Sequence, residues 1–130
     1  MRAALRWIAI GLVATAVTLS GCTQPADDSG TQVTPPTDDE GRYVVLVGED
    51  GRFRFDPPVA QVPVNATVRW INADGYHNVE GDDGSFSSGE PSNAQWTFEW
   101  TFGASGEYGY HCKPHRGAGM TGTIVVGAAV

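Results

Sequence analysis

The 130-residue sequence predicts an all-β protein, a small antiparallel or mixed β-sandwich. Three observations carry that expectation. Trp96, Phe98, Trp100 and Phe102 alternate with Thr97, Glu99 and Thr101, the period of two that belongs to a strand with one buried face. No segment that follows a charged, cleavable leader shows the 3.6-residue periodicity of an amphipathic helix. Finally, 17 Gly and 8 Pro punctuate the chain into short apolar runs, as turns punctuate strands.

The strands follow in order from about Gly41. Tyr43 to Val47 is a continuous apolar run, expected to be buried on both faces, and Glu49-Asp50-Gly51 supplies a turn. Phe53 and Phe55 alternate with Arg52 and Arg54, predicting one core face and one wet face. Asn65-Ala66-Thr67 reads as a turn that also matches an N-glycosylation sequon. Val68 and Trp70 repeat the alternation around Arg69. Tyr108, Tyr110 and Cys112 share a face, which turns His111 outward as an exposed strand residue. Ile124 and Val126 close the last strand.

The N-terminal part carries different signals. Arg2 and Arg6 precede the apolar stretch Ile8–Leu19, and Leu19-Ser20-Gly21-Cys22 ends it with small residues. Residues 1–21 therefore read as a lipoprotein signal peptide, with Cys22 as the lipidated N-terminus of the mature chain. An ordinary signal peptide followed by an incidental Cys is the alternative. Residues 22–40 hold almost nothing to bury and read as a flexible acidic tether, leaving 41–130 as the folded domain. These assignments place the protein at the outer face of the cytoplasmic membrane. Cys22 and Cys112 are the two cysteines. In an exported chain a disulfide between them is one reading, but each has a better use of its own.

Eight basic and 15 acidic residues give a formal charge of −7. Without Arg2 and Arg6, six basic residues face 15 acidic ones, a charge of −9. A nucleic-acid partner, which requires a basic face, is excluded.

The chemistry lies in Tyr110-His111-Cys112-Lys113-Pro114-His115-Arg116-Gly117-Ala118-Gly119-Met120. Thiolate, imidazole and thioether stand here at the spacing C-x2-H-x4-M, and His77 supplies a second imidazole from Gly75-Tyr76-His77-Asn78-Val79. Two His and one Cys with a weak axial Met make a blue-copper electron-transfer site. Zinc would need a stronger fourth ligand than a thioether. A catalytic Cys/His pair lacks an orienting third group and an oxyanion hole. A second copper centre through His111 would need more imidazoles than the three histidines of the chain provide. Asn78 has two readings, a residue that reaches across to the Cys112 loop and a turn residue with local bonds only.

Residues 41–126 resemble a cupredoxin domain of the plastocyanin/halocyanin type, and the halocyanin type most closely. The motifs that carry the resemblance are Phe53-Arg54-Phe55-Asp56-Pro57, Ala66-Thr67-Val68-Arg69-Trp70-Ile71-Asn72, His77-Asn78-Val79 and Cys112-Lys113-Pro114-His115-Arg116-Gly117-Ala118-Gly119-Met120. The resemblance implies a Greek-key sandwich with one copper at its end, held by His77, Cys112, His115 and Met120. It also implies electron shuttling rather than enzymatic turnover. Three strong ligands and an axial one leave no open position for a substrate. The other reading is a copper storage or delivery module, which would want an exposed, Met-rich site. Beyond the leader this chain has Met120 alone. Redox proteins are the expected partners of a monomer, docking where the edge of His115 reaches the surface beside Pro114, Gly117 and Ala118. Asp74, Glu80, Asp82 and Asp83 flank the first ligand loop and are the expected steering charges for a basic partner.

Overall fold

The computed structural model describes residues 31–127. The expected signal peptide, Cys22 and the first part of the expected tether lie outside the described residues. Eight strands form two four-stranded sheets, with two short 3-10 turns at Glu49–Gly51 and Lys113–Ala118. The strands are β1 (Tyr43–Val47), β2 (Phe55–Asp56), β3 (Val59–Val62), β4 (Ala66–Asn72), β5 (Glu80–Gly81), β6 (Thr97–Phe102), β7 (Gly106–His111) and β8 (Thr121–Val126). One sheet has the order β2-β1-β4-β6 and the other β3-β8-β7-β5. The sheets are mixed: β1 and β4 run parallel, as do β3 and β8, while β4–β6 and β7–β8 are antiparallel. The chain crosses repeatedly between the sheets, so the expected all-β sandwich is what forms.

The period-two faces meet in the interlayer core. Val45, Val47, Val68, Trp70, Phe102, Tyr110, Ile124 and Val126 are buried there. Trp70 is its hub, with ring centroids 5.4 Å from Tyr110, 5.6 Å from Phe98 and 5.7 Å from Phe86. Such edge and offset contacts suit the quadrupoles of aromatic rings and rigidify the sheets that carry the site. On β6 the predicted aromatic face is only partly covered. Trp100 remains 39% exposed because β6 is an edge strand.

Three expectations are corrected. Residues 31–40, assigned to a free tether, lie against the domain. Val33 bridges Ala60 of β3, with Val33 N–H donating to the Val59 carbonyl at 3.1 Å, and Thr37 bridges Tyr43 of β1. Asp38 then accepts from the Arg42 guanidinium at 2.7 Å. This segment pairs with edge strand β3 and with the end of β1 that β2 does not reach, through backbone hydrogen bonds that a polar sequence supplies as well as an apolar one. In β1, likewise, Val44 and Leu46 are half-buried rather than buried on both faces.

The third correction is His111. It is 7% exposed, and its ring Nδ1 lies 2.6 Å from the Asp82 carboxylate. The alternation does turn it away from Cys112. However, β5 pairs alongside β7 through Glu80 and His111, and the residue after β5 reaches over the imidazole.

Candidate metal centre

The site assembles at one end of the sandwich from two loops and a strand end. His77 follows β4. At the last position of that strand, buried Asn72 donates through Nδ2 to the carbonyls of Gly75 at 3.0 Å and Ala94 at 2.9 Å, holding the loop between them. His77 itself exchanges two backbone hydrogen bonds with Ser92, at 3.2 and 3.1 Å. Cys112 ends β7. After it the chain turns as a 3-10 helix, with Pro114 in its first turn and the His115 N–H donating to the Cys112 carbonyl at 3.2 Å. Gly119, at φ 88°, stops the turn in a conformation that glycine adopts freely. The chain then doubles back. The Met120 N–H donates to the His115 carbonyl at 3.2 Å, and the Cys112 N–H to the Met120 carbonyl at 3.1 Å. The segment is thus a closed ring of backbone bonds that carries three of the four candidate donors.

The donor atoms face one another. Nδ1 of His77 and Nδ1 of His115 are 3.1 Å apart, and each is 3.6 Å from the Cys112 sulfur. A point equidistant from the three lies about 2.0 Å from each, the length of a bond from a first-row ion to imidazole nitrogen and slightly short of that to thiolate sulfur. The triangle therefore fits one metal ion. His77, Cys112 and Met120 are buried, and His115 is half-buried.

Electrostatics prepare these groups as ligands. Burial, and then the proximity of His115, push the His77 imidazolium below its ordinary value, against the opposing pull of a hydrogen bond from the ring to the Asp74 carbonyl. A neutral ring whose other edge is engaged presents a free lone pair at Nδ1. Burial raises the Cys112 thiol, while the backbone N–H groups of Asn78 and His115 pull the other way by hydrogen-bonding the sulfur. The same two amides favour a thiolate once a cation compensates its charge. Asn78 also reaches across as the first of its two readings requires. Its Oδ1 accepts the Lys113 N–H at 2.7 Å, and its Nδ2 donates to the Gly89 carbonyl at 3.1 Å.

Sequence reasoning did not assign a role at the site to Phe53. Expected on the core face with Phe55, it is 52% exposed and stacks on His115, with centroids 3.9 Å apart and planes 12° apart. Asn72 and Ser92 were also unassigned. Only a polar Asn on the same face as Val68 and Trp70 hinted at the first.

A soft thiolate, two imidazoles and a buried thioether close by in the chain form a donor set that suits copper in both oxidation states. Comparison with known proteins agrees. The family described as "Copper binding proteins, plastocyanin/azurin family" matches residues 42–127. The chain is 34% identical over 94 residues to a plastocyanin of Scenedesmus fuscus, covering 64% of this chain and 96% of that protein. It is 38% identical over 99 residues to a halocyanin of Natronomonas pharaonis, covering 69% of this chain and 60% of that protein. Among solved structures, oxidised plastocyanin from Dryopteris crassirhizoma superposes with a TM-score of 0.55 at 25% identity, over 64% of this chain and 98% of that one. The donor triangle, the sandwich that carries it and these relatives lead to one assignment: the chain belongs to the plastocyanin/azurin family of copper-binding proteins.

Proposed function

We propose that this protein is a type 1 copper electron carrier, anchored by a lipid on Cys22 at the outer face of the cytoplasmic membrane, which exchanges single electrons with redox proteins that dock as it stands as a monomer. The observation that carries the reading is the converging triangle of His77 Nδ1, His115 Nδ1 and Cys112 Sγ. Bound copper supplies a one-electron couple at these atoms. The protein's own residues do the rest. Buried Cys112, His77 and Met120 exclude water from three sides. The backbone ring from Cys112 to Met120 and the Asn78–Lys113 bond hold the donors in one geometry through a change of charge. Half-buried His115 is the donor residue with an edge toward the surface, so it is the route by which electrons enter and leave.

A storage or delivery module would need an exposed, exchangeable site, which buried donors oppose. Carrier action also accounts for a site of strong ligands that leaves no open position for a substrate. The deciding experiment is a visible and EPR spectrum of the copper-loaded protein with stopped-flow oxidation and reduction. The carrier reading expects an intense blue cupric form, a colourless reduced form and rapid exchange without ligand loss. A colourless cupric protein, or one that gives up its metal in each cycle, overturns it.

A further inference from the structure

The chain is strongly acidic, yet its free cations gather in one place. Among the described residues there are six Lys and Arg. Two of them, Arg42 and Arg69, are held on the face of the β2-β1-β4-β6 sheet by Asp38, Glu40 and Glu99. The other four are Arg52, Arg54, Lys113 and Arg116, all exposed. Arg52 and Arg54 flank Phe53 in the chain, and Lys113 and Arg116 flank His115. Because Phe53 stacks on His115, all four stand within two residues of a single pair of rings. Arg54 has one loose ion pair, at 3.9 Å to Asp56, and the other three have none among the described residues.

Carboxylates gather beside His77, whose ring is also 6.1 Å from that of Phe53. Gly48 packs against His77 and the Asp74 carbonyl, and Gly51 lies beside the Asp74 carboxylate, so Glu49, Asp50 and Asp74 gather on the His77 side. Asp82, expected to steer a basic partner, is engaged by His111 on β7. Half-buried His115 thus carries exposed Phe53 on its ring and has exposed Pro114, Gly117 and Ala118 in its own turn, with Arg52, Arg54, Lys113 and Arg116 close to one or the other in the chain.

Resting on the reading of His115 as the electron port, we propose that this face docks a redox protein that presents carboxylates, with Phe53 as the apolar anchor and Arg52, Arg54, Lys113 and Arg116 as the steering charges. An aromatic ring with arginines around it is the composition of an interface hot spot. At physiological ionic strength charges are screened beyond about 8 Å, so these local cations outweigh the net negative charge of the whole molecule in the final approach.

The test uses the full-length copper-loaded protein in its reduced form and two oxidants of opposite charge, hexacyanoferrate(III) and tris(phenanthroline)cobalt(III). Between about 0.01 M and about 0.15 M ionic strength the hexacyanoferrate rate falls as salt rises, opposite to what the net charge alone demands. Arg52→Glu with Arg116→Glu lowers that rate at low salt by roughly tenfold, with the blue absorption unchanged. In amide NMR of the reduced protein, poly-L-glutamate shifts Phe53 and residues 115–118. A hexacyanoferrate rate that rises with salt, a double variant with unaltered rates, or poly-L-glutamate signals elsewhere overturns the proposed docking face while leaving the carrier reading intact. Failure of the carrier reading looks different: a protein with no blue band, or one that neither oxidant can oxidise.

Discussion

Asn78 and Lys113 are 35 residues apart in the chain and joined by a hydrogen bond of 2.7 Å. The bond links the residue after His77 to the residue after Cys112. Two loops of different origin are thereby fixed at the separation their donor atoms require. Asn78→Ala removes the acceptor of the Lys113 N–H and, at the other end, the donor to the Gly89 carbonyl. The expected cost is about 1–2 kcal/mol of stability, the scale of a hydrogen bond whose partner is left behind. Copper affinity falls by roughly 10–100-fold, as for other residues that orient ligands. Denaturant unfolding and copper competition titrations measure the two effects. An unchanged affinity would make Asn78 a turn residue only.

Gly48 packs where a side chain has no room. A Cβ there would run into the Asp74 carbonyl and the His77 ring, and its φ of 69° is already unfavourable for other residues. Gly48→Ala therefore displaces His77 and weakens copper binding in addition to the backbone penalty of about 1 kcal/mol. Gly41 is the control. Its φ is 77°, but nothing lies within 4 Å of the added carbon, so Gly41→Ala loses stability and keeps its metal affinity. Parallel copper titrations and thermal melts of the two variants decide the matter, and equal metal affinities would remove the role given to Gly48.

The contrast between Phe55 and Phe53 shows how far the sequence was legible. Phe55 lies in β2, where alternation holds, and it is buried as expected. Phe53 lies two residues earlier in a bend outside the strand, so a period of two no longer tells which way it points. The candidate ligands were legible because Cys112, His115 and Met120 sit within one tight turn, where spacing alone constrains geometry. His77 needed their company, since a lone imidazole carries little information. The fold was legible wherever one face is apolar, as in Val68 and Trp70. It was not where backbone groups make the contact. Val33 on β3 and Thr37 on β1 leave no mark in side-chain patterning.

The pH dependence of Asp38 tests that unexpected segment. Burial acts to raise its carboxyl, but hydrogen bonds from the Arg42 backbone and side chain, with a further one from Arg69, hold it below the ordinary 3.8. A folded-state value below the unfolded one adds stability above the unfolded value, and that contribution is lost as pH falls through the folded one. Asp38→Asn should thus melt at a lower temperature than the parent at neutral pH, and the difference should close as pH falls below 3.8. Salt should narrow it as well, because the pairs lie at the surface. A difference that persists undiminished in acid would show that the ionised carboxylate is not what holds residues 33–38 in place.

Cys22 lies outside the described residues, and its expected fate follows from Leu19-Ser20-Gly21-Cys22. Intact mass of membrane-derived protein should show a chain beginning at Cys22 with a lipid increment. One acyl chain binds a membrane only marginally, so the increment should correspond to more than one. Cys22→Ser should move the protein to the soluble fraction. An unmodified Cys22 in the membrane fraction would end the anchoring proposal.

Cys112 and Met120 divide the work of holding copper, and their substitutions should separate cleanly. The blue colour comes from charge donated by the Cys112 thiolate, so Cys112→Ala should abolish it. Met120 is fully buried and close in volume to Leu, which makes Met120→Leu nearly neutral for packing, below about 1.5 kcal/mol. The thioether is a weak donor that favours the cupric state. Its loss should leave a coloured site with a raised reduction potential, since the cuprous state no longer competes with that donation. Voltammetry of the variant beside the parent measures the shift, and its visible spectrum shows whether the thiolate bond survives. A lowered potential, or loss of colour in a variant that folds normally, would mean that Met120 is not the axial donor and only packs beneath the site.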